Sequence, residues 1–76
     1  MVGMRELQPG QRVRLTSKPT GLELQCDRGE VICPDLWDNH YIIRLDEPAI
    51  ERHYYGGNKY LRKIRVDVDN LEIIDN

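Results

Sequence analysis

The sequence has no long apolar run. A membrane-spanning helix needs roughly 20 consecutive apolar residues, and no stretch of the 76 residues approaches that length. The first residues, MVGMRELQPG, contain no apolar segment of the kind that a secretory signal carries. Cysteine is also scarce, because only Cys26 and Cys33 are present, whereas a secreted mini-protein of this size usually contains more. These absences predict a cytoplasmic protein without a membrane span.

Signatures of catalysis and of metal binding are missing as well. The side chains that can ligate zinc are Cys26, Cys33, His40 and His53, and their spacing matches no zinc signature. No glycine-rich phosphate loop is present, and nothing in the sequence orients a histidine or Cys26 for catalysis. A chain this short buries only about 60% of the surface that its unfolded form exposes, which leaves little room for an enclosed active site. The sequence therefore predicts a protein that is not an enzyme and has no metal or cofactor.

Five short apolar runs are present, and turn-forming residues separate them. The runs cover residues 13–15, 31–33, 41–45, 64–68 and 71–74. Short runs of this kind, with Gly, Pro, Asn and Asp between them, are typical of a small all-β sandwich or barrel. No window of ten or more residues combines helical periodicity with a cap. Since the sequence also lacks linkers and repeats, we expect one domain over residues 1–76, with residues 1–9 as a flexible lead-in.

Alternation of apolar and polar residues within the runs predicts the core and the turns. The expected core consists of Val13, Leu15, Val31, Cys33, Tyr41, Ile43, Leu45, Ile64, Val66, Leu71 and Ile73. We expect residues 17–27 to form a loop whose leucines fold back onto the core, and Glu47-Pro48 to end the third strand. Gly56-Gly57-Asn58 suggests a three-residue hairpin loop. Residues 67–70 are expected to form a 3₁₀ turn.

The order of these features identifies a possible relationship. A strand at 12–15 and a long loop are followed by GEV, a tryptophan-containing loop, YIIRLD, a fourth strand, a VDN turn and a final LEII strand. This order resembles the Src-homology-3-like small barrel that KOW and Tudor modules also use, and the resemblance covers residues 9–74. It implies a five- or six-stranded antiparallel barrel with a 3₁₀ turn before the last strand. The arrangement GEV…YIIRLDEPA…DNLEII also resembles short bacterial proteins of unknown function.

One segment is similar to a second family. Trp37 and the following YIIRLDEP at 41–48 resemble the tryptophan, strand and L-D-E-P run of CAP-Gly domains. In that family a GKNDG peptide-binding loop comes next, but here AIERHYYGGN occupies the position. The peptide-binding activity of that family is therefore not carried over to this chain.

Residues 52–65 contain no acid and interleave cations with aromatic rings. The candidate nucleic-acid-binding residues are Arg52, Tyr54, Tyr55, Lys59, Tyr60, Arg62, Lys63 and Arg65. Cations neutralise phosphates and exposed rings stack on bases, so a hairpin of this composition is suited to RNA or DNA. The alternative is a solvated hairpin whose cations protect an exposed strand edge from aggregation. The acidic remainder of the chain weakens the nucleic-acid interpretation.

Trp37 and Tyr41 are the candidate partner-binding residues. In Src-homology-3-like barrels, the groove between the first long loop and the tryptophan-bearing loop often binds peptides, and amphipathic aromatic residues suit such a site. The ALYDY-type motif of polyproline binders is absent here, and Trp37 could instead cover one end of the core. We therefore predict a protein–protein accessory or adaptor domain. RNA or DNA binding by residues 52–65 is the alternative, and a structural subunit that lends an edge strand to an assembly is the third class.

Overall fold

The computed structural model describes residues 7–36 and 39–74. Its elements are β1 (Arg12–Leu15), β2 (Arg28–Pro34), β3 (His40–Arg52), β4 (Asn58–Asp67), a 3₁₀ turn (Val68–Asn70) and β5 (Leu71–Ile73). The predicted all-β character and the 3₁₀ turn before the last strand are confirmed, and no α-helix occurs in these two ranges. No helix there is long and apolar enough to cross a membrane.

The five strands form one antiparallel sheet in the order β4-β3-β2-β1-β5. β1 lies between β2 and β5, and β3 lies between β2 and β4. β4 and β5 are therefore the two edge strands of the sheet, and they do not pair with each other in the part of the chain that the structure describes. Backbone pairing thus gives an open sheet.

The core lies on one face of this sheet, as the alternation of the sequence predicts. The predicted residues that are buried are Val13, Leu15, Val31, Tyr41, Ile43, Leu45, Ile64, Val66 and Leu71. Leu22 and Leu24 of the long loop pack against this cluster, as expected. Leu7, Ala49 and Val68 are also buried, although the strand patterns did not predict them. Residues 1–6 of the expected lead-in lie outside the described residues.

Two predicted core residues are exposed, so the prediction was wrong for them. Val31 is paired with Ile43, but Cys33 is paired with Ile42, so β2 contains one extra residue at this point. Such a bulge interrupts the alternation and transfers the following side chain to the opposite face, and Cys33 is exposed. Ile73 is 40% exposed because only the first residue of the short β5 reaches the core.

β3 does not end at Glu47-Pro48, contrary to the sequence-based expectation. Its register with β4 shifts between Arg44, which is opposite Lys63, and Ala49, which is opposite Leu61. Four residues of β3, 45–48, therefore lie opposite a single residue of β4, Arg62, and form a bulge. Because proline has no N–H to donate, a bulge is one of the few places within a sheet that accepts it, and the strand continues beyond it.

β3 and β4 form the expected hairpin, but its loop is longer than predicted. The loop covers residues 53–57, and the N–H of His53 donates to the carbonyl of Gly57 over 3.2 Å. Gly56 and Gly57 have φ values of 112° and 83°, in the left-handed region that favours glycine. Residues 52–60 are all exposed, so this end of the hairpin extends away from the core.

Candidate functional site

Arg62, a candidate phosphate-binding residue, is used within the protein. Its Nη1 donates to the carbonyl oxygens of Leu45 at 3.4 Å and Asp46 at 3.1 Å. These carbonyls lie in the bulge, where the backbone ladder is interrupted and polar groups need other partners. Arg62 therefore stabilises the bulge.

The long loop at residues 17–27 also makes hydrogen bonds to this bulge. Gln25 Nε2 donates to the carbonyl of Pro48 at 2.8 Å, and the N–H of Glu47 donates to Cys26 Sγ at 3.2 Å. The sulfur of Cys26 thus accepts the hydrogen bond from Glu47 that a backbone carbonyl would accept in a regular strand pair. His40 and His53 lie near Asp67 and Glu51 respectively. No group of three or more His, Cys, Asp and Glu residues capable of holding a metal ion occurs within residues 7–36 and 39–74.

Arg52 is neutralised at the end of β3, where the hairpin loop begins. Its Nε and Nη2 contact Glu23 Oε1 at 2.9 and 2.8 Å. Glu23 is also held through its backbone, because its N–H and C=O both pair with Ile50 at 2.8 Å. The long loop is therefore fastened to β3 at this point, and Arg52 is oriented towards the loop.

Arg65 forms an ion pair with Asp35, whose side chain is only 10% exposed. This pair links the end of β2 to β4. Lys63 has a different environment, because it lies directly opposite Arg44 on β3. Lys59 lies opposite Glu51. The structure thus separates the predicted basic block into three arginines with internal partners and two lysines.

The tyrosines of the block are exposed at the loop end of the hairpin, Tyr54 and Tyr55 in the loop and Tyr60 near the start of β4. Tyr54, Tyr55 and Tyr60 are 97%, 89% and 62% exposed. The rings of Tyr54 and Tyr55 are stacked, with centroids 5.6 Å apart and planes inclined by 30°. We call these three residues the tyrosine tip. Aromatic rings held this close to one another present a large amphipathic surface.

Charge around the tyrosine tip is balanced. The nearby cations are Arg52 and Lys59, and the nearby acids are Glu23 and Glu51. Glu51 Oε1 also lies 3.2 Å from His53 Nε2. An array of phosphates would therefore meet acids as well as cations here, whereas a ligand without a strong charge would meet no such repulsion.

The other candidate pair, Trp37 and Tyr41, does not form a described surface. Tyr41 is only 9% exposed, and its hydroxyl accepts a hydrogen bond from the N–H of Leu7 at 3.2 Å. Trp37 lies outside the described residues. A groove of about 310 Å³ lies between the long loop and the end of β4. It is lined by residues 17–20, His40, Arg65, Val66, Asp67 and Asn70. Tyr41 does not line this groove.

An ion pair between Arg12 and Asp46 connects β1 to β3 across β2. Arg12 Nη1 donates to Asp46 Oδ1 at 2.9 Å, and the second nitrogen donates to the other oxygen. The hydrogen bond from Arg12 lowers the pKa of Asp46 below its usual value, and desolvation of the carboxylate opposes part of this effect. The two side chains are 31% and 43% exposed, so solvent screening keeps the contribution to about 0.2–1 kcal/mol.

We predict that this contribution is lost in acid. Because the pKa of Asp46 is lowered in the folded state, the stabilisation is present above the unfolded pKa of about 3.9. It disappears as the pH falls through the lower folded-state pKa. Urea unfolding of the wild type and of Asp46→Asn at pH values from about 6 down to about 2.5 tests this point. The wild type should lose more stability than the variant, and parallel curves would contradict the prediction.

Comparison with protein-family models, with curated proteins and with solved structures finds no match to this chain.

Proposed function

We propose that this chain is a non-enzymatic binding module, an accessory or adaptor domain that contacts another protein through the tyrosine tip. The observation that carries the proposal is the exposure of Tyr54, Tyr55 and Tyr60 on a hairpin end with balanced charge. Tyrosine is enriched in protein interfaces and among the residues that dominate their energy. It supplies a large contact area while immobilising few torsion angles.

Binding of RNA or DNA is the second candidate function. Stacked rings and the two lysines, Lys59 and Lys63, favour it. It ranks second because Arg52, Arg62 and Arg65 are held by Glu23, by bulge carbonyls and by Asp35. A nucleic acid would have to compete with each of these contacts to use the arginines.

The proposed scaffold is a Src-homology-3-like barrel. Support comes from the long loop between β1 and β2, the 3₁₀ turn before β5, and the pairing of Glu23 with Ile50, which brings the loop against the second half of β3. A location in the cytoplasm is proposed from the sequence alone.

Substituting the tip tests the proposed function. The tagged Tyr54→Ser/Tyr55→Ser protein is expressed in the native host, and nuclease-treated complexes are compared with wild type by quantitative mass spectrometry. We expect recovery of the specific partner to fall at least about tenfold, because interface hot spots each cost 2 kcal/mol or more. Gln8→Ser, at an exposed position far along the chain, is the surface control. Leu36→Ser, at a 98% exposed residue that precedes Trp37 in the sequence, tests the surface at Leu36.

The outcomes separate the candidate surfaces. A loss in the tip variant alone, with an unchanged urea midpoint, supports the proposal. A loss of partner recovery confined to Leu36→Ser would instead locate the contact at Leu36. A folded tip variant that recovers the same proteins as wild type would contradict the proposal, and nuclease-sensitive recovery would favour the nucleic-acid alternative.

A further inference from the structure

β4 presents a long strand edge at one end of the sheet. It is 10 residues long and pairs only with β3, whereas the strand at the other end, β5, has 3 residues. In an antiparallel strand, alternate backbone N–H and C=O groups point to each side. Those on the outer side of β4 therefore have no neighbouring strand in the described sheet. Such an edge is a template for strand addition.

The side chains beside this edge include two cations that face each other. Lys63 on β4 and Arg44 on β3 are register partners, and directly opposed side chains in an antiparallel pair have Cβ atoms about 4.5–5.5 Å apart. Neither makes an ion pair with a residue that the structure describes, although Glu30 is the register neighbour of Arg44 on its other side. Both side chains are exposed. Glu30 offsets part of the charge of Arg44, whereas Lys63 lies on the edge strand and has no strand beyond it in the described sheet, so a carboxylate on that side would be attracted to Lys63.

These charges select among the possible strands. Two copies of the β4 edge would bring cations close together, which disfavours pairing between copies of this chain through that edge. A basic or apolar segment would gain nothing from the cations. A segment with carboxylates at alternate positions would gain both the backbone hydrogen bonds and the charge attraction. A nucleic acid would use only the charges, because it offers no strand to the edge.

We propose that the outer edge of β4 binds an extended acidic peptide segment as an added strand, with a carboxylate of that segment beside Lys63. The surface is distinct from the tyrosine tip, and this inference goes beyond the function proposed above. Its selectivity comes from the combination of a strand edge that has no neighbouring strand in the described sheet with the cation Lys63 beside it.

A defined peptide tests the inference. The probe is a labelled, end-blocked peptide of about ten residues that alternates Glu with Val or Thr, and the control peptide has Gln in place of each Glu. Binding is followed by fluorescence anisotropy at low and moderate salt. Hydrogen exchange followed by NMR reports whether β4 amides become protected. We expect the acidic peptide to bind at least about tenfold more tightly than the control peptide and to protect amides of β4.

Lys63→Glu is the decisive variant. It replaces a repulsive pair with an attractive one opposite Arg44, so its urea midpoint should equal or exceed that of wild type. Its affinity for the acidic peptide should nevertheless fall at least about tenfold. The Tyr54→Ser/Tyr55→Ser protein should bind the peptide as wild type does, which keeps this test independent of the tip.

With the peptides, the inference would be overturned by equal affinity for the acidic and control peptides, by binding without protection of β4 amides, or by binding that Lys63→Glu leaves unchanged. A single-stranded oligonucleotide of similar charge serves as the competing probe. If it bound more tightly than the peptide and lost affinity in Lys63→Glu, the cations would be assigned to nucleic acid and the inference would be rejected.

Discussion

Gly29→Ala is expected to remove a large part of the stability of the protein. A Cβ atom at this position would clash with the carbonyl oxygen of Arg44 and would lie 2.9 Å from Ile43 Cγ2. The oxygen belongs to the backbone of β3, so relieving the clash requires β2 and β3 to separate. We expect a cost of about 3 kcal/mol or more, against a total of about 4–11 kcal/mol for a domain of this length.

Urea unfolding followed by circular dichroism measures this loss, and Gly21→Ala is the matched control. Gly21 has a φ of 84° but no atom within 4 Å of an added Cβ. The control should therefore show only the backbone strain of a left-handed residue, about 1–2 kcal/mol. Similar midpoints for the two variants would show that β2 and β3 are not as close at Gly29 as described.

Ile43→Ala is expected to cost about 2–5 kcal/mol, whereas Ile42→Ala should cost less than about 1.5 kcal/mol. Ile43 is completely buried and lies between Val31 and Ile64 in the register of the sheet. Its neighbour Ile42 is on the opposite face and only half-buried. Removing the buried side chain loses its transfer free energy and leaves a cavity.

The comparison of these two adjacent isoleucines also tests the register. A slip of one residue would exchange the faces of every side chain in β3. Denaturant unfolding of both variants gives the two free-energy differences directly. A larger loss in Ile42→Ala than in Ile43→Ala would contradict the assignment of the buried face.

Alternation in the sequence was sufficient to predict most of the core because a paired strand places every second side chain on one face. It failed where the pairing is irregular. The bulge in β2 exposes Cys33, and whether a strand bulges depends on its neighbour as well as on its own residues. Pro48 indicated a strand end because it lacks an N–H, but Arg62 and Gln25 provide donors to the carbonyls around it. Arg62 and Gln25 come close to these carbonyls only in the folded chain, so the sequence alone did not indicate them.

The sequence predicted which residues make up the candidate binding surface, but it did not predict which acids pair with its cations. The sequence shows that residues 52–65 combine cations with tyrosines. It does not show that Arg52 meets Glu23 or that Arg65 meets Asp35, because those acids are distant along the chain. Arg44 was not a candidate at all, since only strand register brings it opposite Lys63.

Site-specific photo-crosslinking tests the central proposal, that the tyrosine tip contacts a protein, most directly. A benzophenone amino acid replaces Tyr55 in the full chain in the native host, and Thr20, exposed in the long loop, carries the same probe as control. We expect a defined, nuclease-resistant protein adduct from position 55 that position 20 does not give. Adducts that nuclease removes, or identical products from both positions, would contradict the proposed function.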